Sequence, residues 1–211
     1  MKHLIILGAG GFARELYYFA QESLGYGVDW DIKGFLDGDV KLPDEEYLKL
    51  PAPVLGDIYD YAIEDNDVFV CGVGMPEVRK IFIEAISKRG GTFANVIHKT
   101  AIIQKSARLG VGIVVLPWST INANAIVGDH LLITLRSTIS HDCTVGNNVC
   151  IMGDVSICGY VDIKDDSFMA VGSTALPHSK IGKNAYVGVA SVVFKSVKDN
   201  QKAFGNPARS I

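Results

Sequence analysis

An aliphatic residue returns at every sixth position through the second half of the chain, and no other feature constrains the fold as much. From Ile103 to Val193, sixteen consecutive sixth positions are apolar without a slip. The pattern predicts a coil with three flat sides of six residues, each coil lying ~4.8 Å from the previous one. The sixth residue points into the prism, and a mostly small residue two positions earlier fills the space beside it. Glycines recur at intervals of eighteen, or a multiple of it, at Gly110, Gly128, Gly146 and Gly182.

The first ~97 residues have a different rhythm, with element boundaries good to a few residues. Strand signals in HLIIL, IKGFLDG, DVFVCGVG and FANVI alternate with helix signals in FARELYYFAQES, DIYDYAIE and PEVRKIFIEAISKRGG. Strands alternating with helices predict a parallel sheet covered on both faces. We therefore expect two domains, residues 1–97 and residues 98–211, the second ending in a C-terminal tail.

Composition excludes several classes of partner. The chain has 211 residues and a formal net charge of -3, without the basic stripe of a nucleic-acid surface. It has no apolar run near the ~20 residues of a membrane span, and no signal peptide is expected. The four cysteines form neither a CxxC pair nor a disulfide-framework spacing, which favours reduced thiols. The sequence predicts a cytoplasmic protein that binds neither nucleic acid nor a membrane.

A histidine and an aspartate stand side by side among the repeats, in STISHDCTVG. Because Ile139 points inward, His141 is expected to point outward. Its neighbours in the adjoining coils, eighteen residues away, are the small Ala123 and Gly159, which leave room for a substrate. A carboxylate such as Asp142 beside an imidazole favours one tautomer and a basic second nitrogen, as acyl transfer requires. The alternative is a surface histidine without a role. The stacked neighbours of Asp142 are Asn124 and Tyr160.

A metal site is a rival use of histidines on such a prism. It requires three histidines that converge on one ion. His130 and His141 differ in hexapeptide phase, and His130 and His178 fall on different sides of the coil. We therefore expect no metal.

A glycine-rich loop follows the first strand. In GAGGFA, Gly8, Gly10 and Ala13 have the G-x-G-x-x-G/A spacing, which offers backbone amides and a helix N-terminus to a phosphate. Asp37 ends the second strand, where a carboxylate accepts bonds from a ribose or a base. NAD is the usual ligand of such a loop, but this half is short for a full dinucleotide domain. An NAD-dependent oxidoreductase and a packing turn without a ligand remain open alternatives.

Several segments resemble one known family. The repeats LGVGIV, VGDHLL, VGNNVC and IGKNAY are similar to those of left-handed β-helix acyltransferases, whose coil is an exception to the right-handed crossover rule. The segments ILGAGGFARE, GVGMPEVRK, NVIHKTA and ISHDCTVG, in this order, resemble bacterial acetyltransferases that modify nucleotide-linked amino sugars or O-acetylate sialic acid. The resemblance implies an α/β Rossmann-like domain that binds a nucleotide-sugar, followed by an all-β left-handed parallel β-helix that transfers acetyl groups.

The resemblance also implies roles for particular residues. His141 is the catalytic base, and Asp142 orients it. Family members often carry a histidine where this chain has Phe12, so a polar side-chain contact is absent while the backbone donors remain. Acetyl-CoA lies between the coils of neighbouring subunits, with contacts at Cys150, Val171, Gly172 and Val189. The nucleotide-sugar contacts map to Gly10, Gly11, Phe12, Asp37, Gly38 and Gly74.

The expected activity is acetyl-CoA-dependent N-acetylation of a nucleotide-linked amino sugar in bacterial surface-glycan biosynthesis. O-acetylation of a sialic acid uses the same base and the same thioester, so it stays open. A non-catalytic nucleotide-sugar-binding protein on the same fold is the alternative of another class.

Assembly is predicted from apolar residues at outward positions of the prism. A lone prism would expose them as an apolar patch, which usually marks an interface. Three prisms packed side by side bury each patch and close by three-fold symmetry. We expect a homotrimer of ~68 kDa, three copies of the 22.8 kDa chain, with active sites between subunits. The outward apolar residues are Val111, Val114, Leu116, Trp118, Leu132 and Leu135.

Overall fold

The computed structural model describes residues 1–38 and 43–211, and the chain divides into two units, Met1–Lys99 and Thr100–Ile211. The first unit is an α/β domain. Its elements are β1 (Lys2–Leu7), α1 (Gly11–Gln21), β2 (Trp30–Asp37), α2 (Asp44–Tyr47), β3 (Val54–Asp57), β4 (Asp67–Cys71), α3 (Pro76–Ser87) and β5 (Val96–Ile97). Four of the strands form a parallel sheet in the order β3-β2-β1-β4.

The core of this unit lies between the sheet and its covering segments. Ile5, Leu7, Leu36 and Phe69 from the strands are fully buried and pack with Ile86 of α3. The strands read as near-continuous apolar runs because both faces of a parallel sheet are covered. Parallel pairing also brings the carboxyl ends of β1, β2 and β4 to one edge of the sheet.

The segment DIYDYAIE, predicted as a helix, begins at the last residue of β3 and continues as a turn and irregular chain, so that prediction was wrong. The Asp57 carboxylate accepts the N–H of Tyr59 at 2.9 Å, and the Asp57 carbonyl accepts that of Tyr61 at 3.0 Å. An aspartate that bonds its own following backbone competes with helix formation. Strand β3 and the single turn of α2 were not predicted, and FANVI forms a strand only over Val96–Ile97.

Residues 100–211, all of which the structure describes, form a parallel β-helix whose short strands stack in register at intervals of eighteen. The interval shortens to sixteen at the end, where Lys180 pairs with Ser196 and Tyr186 with Lys202, and the final strand pairs antiparallel. The predicted coil of six residues per face is confirmed. One face holds β6 (Ile102–Ile103), β9 (Thr120–Ile121), β12 (Thr138–Ile139), β15 (Ser156–Ile157), β18 (Thr174–Ala175) and β21 (Val192–Val193). The next holds β7 (Arg108–Leu109), β10 (Ile126–Val127), β13 (Thr144–Val145), β16 (Asp162–Ile163), β19 (Lys180–Ile181) and β22 (Ser196–Val197). The third holds β8 (Val114–Val115), β11 (Leu132–Ile133), β14 (Cys150–Ile151), β17 (Phe168–Met169), β20 (Tyr186–Val187), β23 (Lys202–Phe204) and β24 (Arg209–Ser210).

The interior of the prism is built as the period predicts. Every sixth residue from Val115 to Val193 is buried, while Ile103 and Leu109 of the first coil are half-buried. The small residues two positions earlier also face inward, and several are serines. The Ser137 hydroxyl donates to the carbonyl of Met152, in the next coil, at 2.6 Å. Serine is tolerated inside because its hydroxyl is satisfied by a backbone carbonyl.

The chain turns from one face to the next at a residue in the left-handed region, and this recurs at every sixth residue from Gly112 to Ala190. Asn, Asp and Gly adopt this conformation at little cost, whereas other residues pay ~1–2 kcal/mol. We name the three edges by these residues. Corner A carries Gly112, His130, Asn148, Asp166 and Asn184; corner B carries Trp118, Arg136, Asp154, Gly172 and Ala190; corner C carries Asn124, Asp142, Tyr160 and His178.

The recurring glycines lie beside corner A, where a side chain of the next coil approaches closely. A Cβ at Gly128 would lie 2.5 Å from Oδ1 of Asn147. That Oδ1 instead accepts the N–H of Asp129 at 2.8 Å, and Asp129 in turn accepts the N–H of Val111 at 2.9 Å. The eighteen-residue glycine period therefore makes room for a ladder of side-chain caps.

The outward apolar residues do not form one exposed patch. Val114, Leu116 and Leu132 are buried within the chain, so the expectation that they are exposed was wrong. The hexapeptide phase fixes the side of the sheet on which a residue lies, but not what covers that side. Val111 and Trp118 are exposed as expected, and Leu135 is half-buried.

Candidate active site

His141 and Asp142 meet because a corner lies between them. Ile139 is fully buried, and His141, two residues on, points outward with 55% of its side chain exposed. Adjacent residues of a strand point to opposite faces, but Asp142 occupies corner C with φ 57°. The turn brings the two side chains together, and Nδ1 of His141 lies 2.8 Å from Oδ2 of Asp142.

The Asp142 carboxylate is held from a second side. Nδ2 of Asn124, one coil earlier, donates to Oδ1 of Asp142 at 3.1 Å. The hydrogen bonds from His141 and then from Asn124 hold the pKa of Asp142 below its usual value. Because an ionised carboxylate only accepts, Nδ1 of His141 is the donor in this bond, and in the neutral imidazole the lone pair is then on Nε2. The pair therefore presents a basic nitrogen to solvent.

The imidazole lies directly over Gly159 of the following coil. A Cβ at Gly159 would lie 2.7 Å from Cε1 and 2.8 Å from Nε2 of His141, so any side chain there would displace the ring. In the fully described stretch 100–211, the N–H groups of His141 and Gly159 have no hydrogen-bond partner. At corner A most of the equivalent N–H groups, such as those of Val111, Asp129 and Asn147, are capped by side chains. At corner C the N–H groups of His141 and Gly159 are instead available to a ligand beside the base.

Two aromatic rings extend the site beyond the residues predicted for it. Tyr160 contacts His141 in a T-shaped arrangement, with ring centroids 5.3 Å apart, and stacks on His178 at 4.9 Å. From the sequence, Tyr160 is predicted only as a neighbour of Asp142, and His178 has no predicted role. Their signal was the eighteen-residue spacing that joins Asp142, Tyr160 and His178.

The residues expected to contact acetyl-CoA fall into two groups. Val171 and Val189 are 48% and 65% exposed, and they lie beside corner B with the exposed Gly172, φ 69°. Cys150 is fully buried on β14, between Leu132 and Phe168 of the neighbouring strands. The structure thus brings three of these residues to one exposed edge and leaves Cys150 away from it.

The loops expected to bind the nucleotide lie at the carboxyl edge of the sheet in the first unit. Gly10 is the N-cap of α1, which has no side-chain cap, and Gly11 begins the helix. Added Cβ atoms at Gly10 and Gly74 would meet nothing within 4 Å. A Cβ at Gly8 would lie 2.9 Å from Val73, which places the β1–α1 and β4–α3 loops together. Uncapped amides there are suited to an anion.

The other nucleotide candidates are less accessible. Phe12 is half-buried on α1, and Asp37 is 6% exposed at the end of β2. Asp37 accepts the N–H of Gly38 at 2.9 Å and a hydrogen bond from the Tyr47 hydroxyl. Gly38 is buried against Phe82 of α3. An open cleft of about 780 Å³ begins at Asp37 and is lined by Tyr47, Leu50, Pro51, Pro53 and Asp57.

The described residues contain neither a cluster of metal ligands nor a membrane-spanning helix. Across residues 1–38 and 43–211, no group of three or more His, Cys, Asp or Glu side chains is arranged to hold a metal ion. None of the helices in the same part of the chain has the length and apolarity that crossing a bilayer requires.

Comparison with known proteins defines the class. Residues 3–86 match the family model of the PglD N-terminal domain. The whole chain superposes on the acetyltransferase domain of PglB from Neisseria gonorrhoeae, with TM-score 0.88, 24% identity and full coverage of both chains. The predicted fold class, a Rossmann-like α/β domain followed by a left-handed parallel β-helix, is confirmed. The chain therefore has the fold of the left-handed β-helix acyltransferases.

Within this class the chain is similar to sugar N-acetyltransferases, as the sequence resemblance predicted. GDP-perosamine N-acetyltransferase of Escherichia coli O157:H7 is 26% identical over 98% of this chain and 95% of the relative. PerB of Caulobacter crescentus, solved with CoA and GDP-perosamine, has TM-score 0.83 and 26% identity, covering 100% of this chain and 98% of PerB. The chain also matches an acyl-carrier-protein–UDP-N-acetylglucosamine O-acyltransferase of Sinorhizobium fredii, of which it spans about half, 48%.

Proposed function

We propose that the chain transfers the acetyl group of acetyl-CoA to the amino group of a nucleotide-linked amino sugar in bacterial surface-glycan biosynthesis. The observation that supports the proposal is the exposed His141–Asp142 pair. In this pair Nδ1 of His141 is hydrogen-bonded to the Asp142 carboxylate, and Nε2 is accessible to a ligand. The names of the E. coli relative and of the PerB complex favour a nucleotide-linked acceptor that is acetylated on nitrogen. O-acetylation of a sialic acid is the alternative reaction, and free sialic acids are tested as acceptors for that reason.

The chemistry follows from what an amine needs in order to attack a thioester. The amino nitrogen bonds to the thioester carbonyl carbon while Nε2 of His141 takes the proton that the amine loses. Asp142 stabilises the imidazolium that forms. The oxyanion of the tetrahedral intermediate accepts hydrogen bonds from backbone N–H groups, for which those of His141 and Gly159 are suited. The carbon–sulfur bond then breaks, and the thiolate of CoA leaves and takes the proton from the His141 imidazolium, which regenerates the base. A base of this kind contributes roughly 10²–10⁴-fold.

Each unit has a separate task in this proposal. The first unit binds the nucleotide through the loop amides around Gly10, Gly11 and Gly74, with Phe12, Asp37 and Gly38 behind them. The β-helix holds acetyl-CoA along corner B at Val171, Gly172 and Val189; the burial of Cys150 leaves it without a direct contact. The working form is a homotrimer of ~68 kDa, in which a neighbouring subunit completes the coenzyme groove. The reaction takes place in the cytoplasm, where acetyl-CoA and nucleotide-sugars are made.

The test is thiol release from acetyl-CoA by the purified chain. The acceptors are GDP-, UDP- and dTDP-linked amino sugars, the same nucleotide-sugars with the amine already acetylated, and free sialic acids. We expect release only with a nucleotide-linked free amine. Release only with sialic acid would replace the N-acetylation proposal by O-acetylation. Nucleotide-sugar binding without any thiol release would favour a non-catalytic protein, and NAD(H) binding without nucleotide-sugar binding would favour an oxidoreductase.

A further inference from the structure

Beyond His141, corner C carries aromatic residues in place of Asn and Asp. Asn124 and Asp142 are residue types that adopt the left-handed conformation readily, but Tyr160 and His178 hold the same conformation with φ 61° and 62°. A bulky residue at positive φ is strained, and Trp118, His130 and Arg136 hold the same conformation at the other two corners. Tyr160 is also 52% exposed, so burial of its ring does not compensate for the strain.

Aromatic stacking alone does not require this arrangement. Phe168 and Tyr186 stack at 5.0 Å on the outer side of β17 and β20, and neither has a positive φ. At corner C the ring of Tyr160 is instead placed between His178, with an interplanar angle of 6°, and His141, with one of 87°. The strained position brings the ring against the imidazole that carries the open nitrogen.

The imidazole needs such a contact because little else holds it. Its side chain is more than half exposed, and its only side-chain hydrogen bond in the described residues runs from Nδ1 to Asp142. Gly159 beneath the ring offers no side chain. A misplacement of about 1 Å in a catalytic group costs up to 10²-fold in rate. A side chain that holds the His141 imidazole in place therefore affects the rate of the reaction.

We propose that Tyr160 is a positioning residue for His141. Its ring, stacked on His178, keeps the imidazole oriented so that Nδ1 stays on Asp142 while Nε2 faces the acceptor. A hydrogen bond from the Tyr160 side chain also helps to lower the pKa of Asp142, after those from His141 and Asn124, which places Tyr160 beside the pair. The proposal rests on the proposed role of His141 as the base.

The experiment compares three variants of the full chain. Tyr160→Phe retains the ring and is expected to keep kcat within about twofold. Tyr160→Asn removes the ring and installs the residue type found at Asn124, so it relieves the strain; we expect kcat to fall about tenfold or more, with KM for acetyl-CoA unchanged and no lower Tm. His130→Asn relieves the same strain at corner A, away from the pair, and should leave kcat unchanged.

A second measurement does not depend on turnover. In the substrate-free protein, the ring current of Tyr160 displaces the NMR signal of the His141 Cε1 proton. The displacement should survive in Tyr160→Phe and in His130→Asn, and disappear in Tyr160→Asn. The proposal would be overturned if Tyr160→Asn kept the parent's signal for the His141 Cε1 proton and a kcat within twofold of the parent. It would also be overturned if kcat fell only in proportion to a lower Tm. If no variant or parent transfers acetyl groups, the proposed function fails while this signal still decides the positioning role.

Discussion

At the scale of single residues, the site depends on one backbone angle. The left-handed turn at Asp142 lets two consecutive side chains, which a strand would send apart, share a hydrogen bond of 2.8 Å. The same turn exposes the His141 imidazole over Gly159, where a glycine leaves it room. The base is therefore a product of the coil's geometry as much as of the residues that form it.

The first prediction concerns the base itself. His141→Ala should lower kcat for thiol release by ~10²-fold or more, because the acceptor amine loses its proton acceptor. Asp142→Asn should lower it by a similar order, since an amide beside Nδ1 no longer favours a lone pair on Nε2. His130→Ala, at corner A, is the matched control with unchanged kcat. Near-normal turnover by His141→Ala would remove this residue from the mechanism.

Gly159 provides an independent test of the same geometry. Gly159→Ala puts a Cβ 2.7 Å from Cε1 of His141, so the exposed ring has to move while the backbone stays. We expect kcat to fall about tenfold to a hundredfold with an unchanged far-ultraviolet circular dichroism spectrum. Gly153→Ala, where the added Cβ meets nothing closer than 3.6 Å, is the control. Full activity in Gly159→Ala would mean that the ring does not need this position.

The sequence predicted this site because the six-residue phase fixes direction. It identified His141 as outward and named its small neighbours Ala123 and Gly159, since both follow from counting in eighteens. It did not predict the contact between Tyr160 and His141, which depends on side-chain rotamers at a strained corner. The burial of Cys150 was missed for a related reason, because the phase does not reveal what covers the outside of a face.

At the scale of elements, the inner row of aliphatic residues carries the stability of the prism. Ile157 is 1% exposed on β15, and its strand neighbour Ser156 is exposed. Ile157→Ala should destabilise the β-helix by ~2–5 kcal/mol, because it removes buried methylenes and leaves a cavity. Ser156→Ala should change the free energy of unfolding by less than ~0.5 kcal/mol. Urea denaturation followed by circular dichroism measures both, and equal effects would contradict the inward assignment.

In the α/β unit, a polar network ties β2 to β4. Lys33 Nζ donates to Oδ1 of Asp67 at 2.9 Å, and the Tyr61 hydroxyl donates to Oδ2 at 2.9 Å. Burial alone would raise the pKa of Asp67, but hydrogen bonds from the N–H of Glu64, from Lys33 and from Tyr61 hold it below its usual value. Burial alone would lower the pKa of Lys33, but its bonds to Glu64, Tyr61 and Asp67 raise it above its usual value.

These shifts predict how the stability of the unit depends on pH. The lowered pKa of Asp67 contributes stability above the unfolded value of ~3.9, and this is lost as pH falls through the folded value. The raised pKa of Lys33 contributes stability below ~10.4, and this is lost as pH rises through the folded value. Asp67→Asn should therefore cost ~3 kcal/mol at neutral pH, with a difference from the parent that shrinks in strong acid.

The control and readout for this prediction come from the same network. Glu64→Gln changes a carboxylate that is 65% exposed on the same lysine, so it should cost under ~1 kcal/mol. Trp30 is 5% exposed and reports unfolding of this unit by its fluorescence, whereas Trp118 is already 62% exposed. A difference between Asp67→Asn and the parent that stays constant down to the most acidic buffer would argue against the assigned charge.

Element prediction from sequence was strongest where periodicity was long. The twelve residues of α3 carry a repeating apolar face and a proline at the start, and the helix was predicted. DIYDYAIE is shorter, and Asp57 diverts its backbone into a turn, which propensity alone did not reveal. Strand β3 follows a proline and carries Gly56, two residues that weaken a strand signal.

At the scale of the whole molecule, the trimer remains a prediction that rests on exposed apolar residues. With Val114, Leu116 and Leu132 buried in the chain, the candidate interface is reduced to residues such as Trp118 and Val189. Light scattering should give ~68 kDa for the parent. Val189→Asp should shift the mass toward a monomer and lower activity, while Val28→Asp, at a position that is 78% exposed in the other unit, should stay trimeric. A fully active monomeric parent would contradict both the assembly and a coenzyme groove shared between subunits.

The register of eighteen residues per coil has a consequence for how such a gene changes length. An in-frame duplication of one coil beyond His178 would repeat an inner row, a set of corners and their caps, and would match its neighbours without new loops. The prism would grow by ~4.8 Å, and the surroundings of His141 would stay as they are. The number of coils can thus change during evolution, one coil at a time, without altering the catalytic pair.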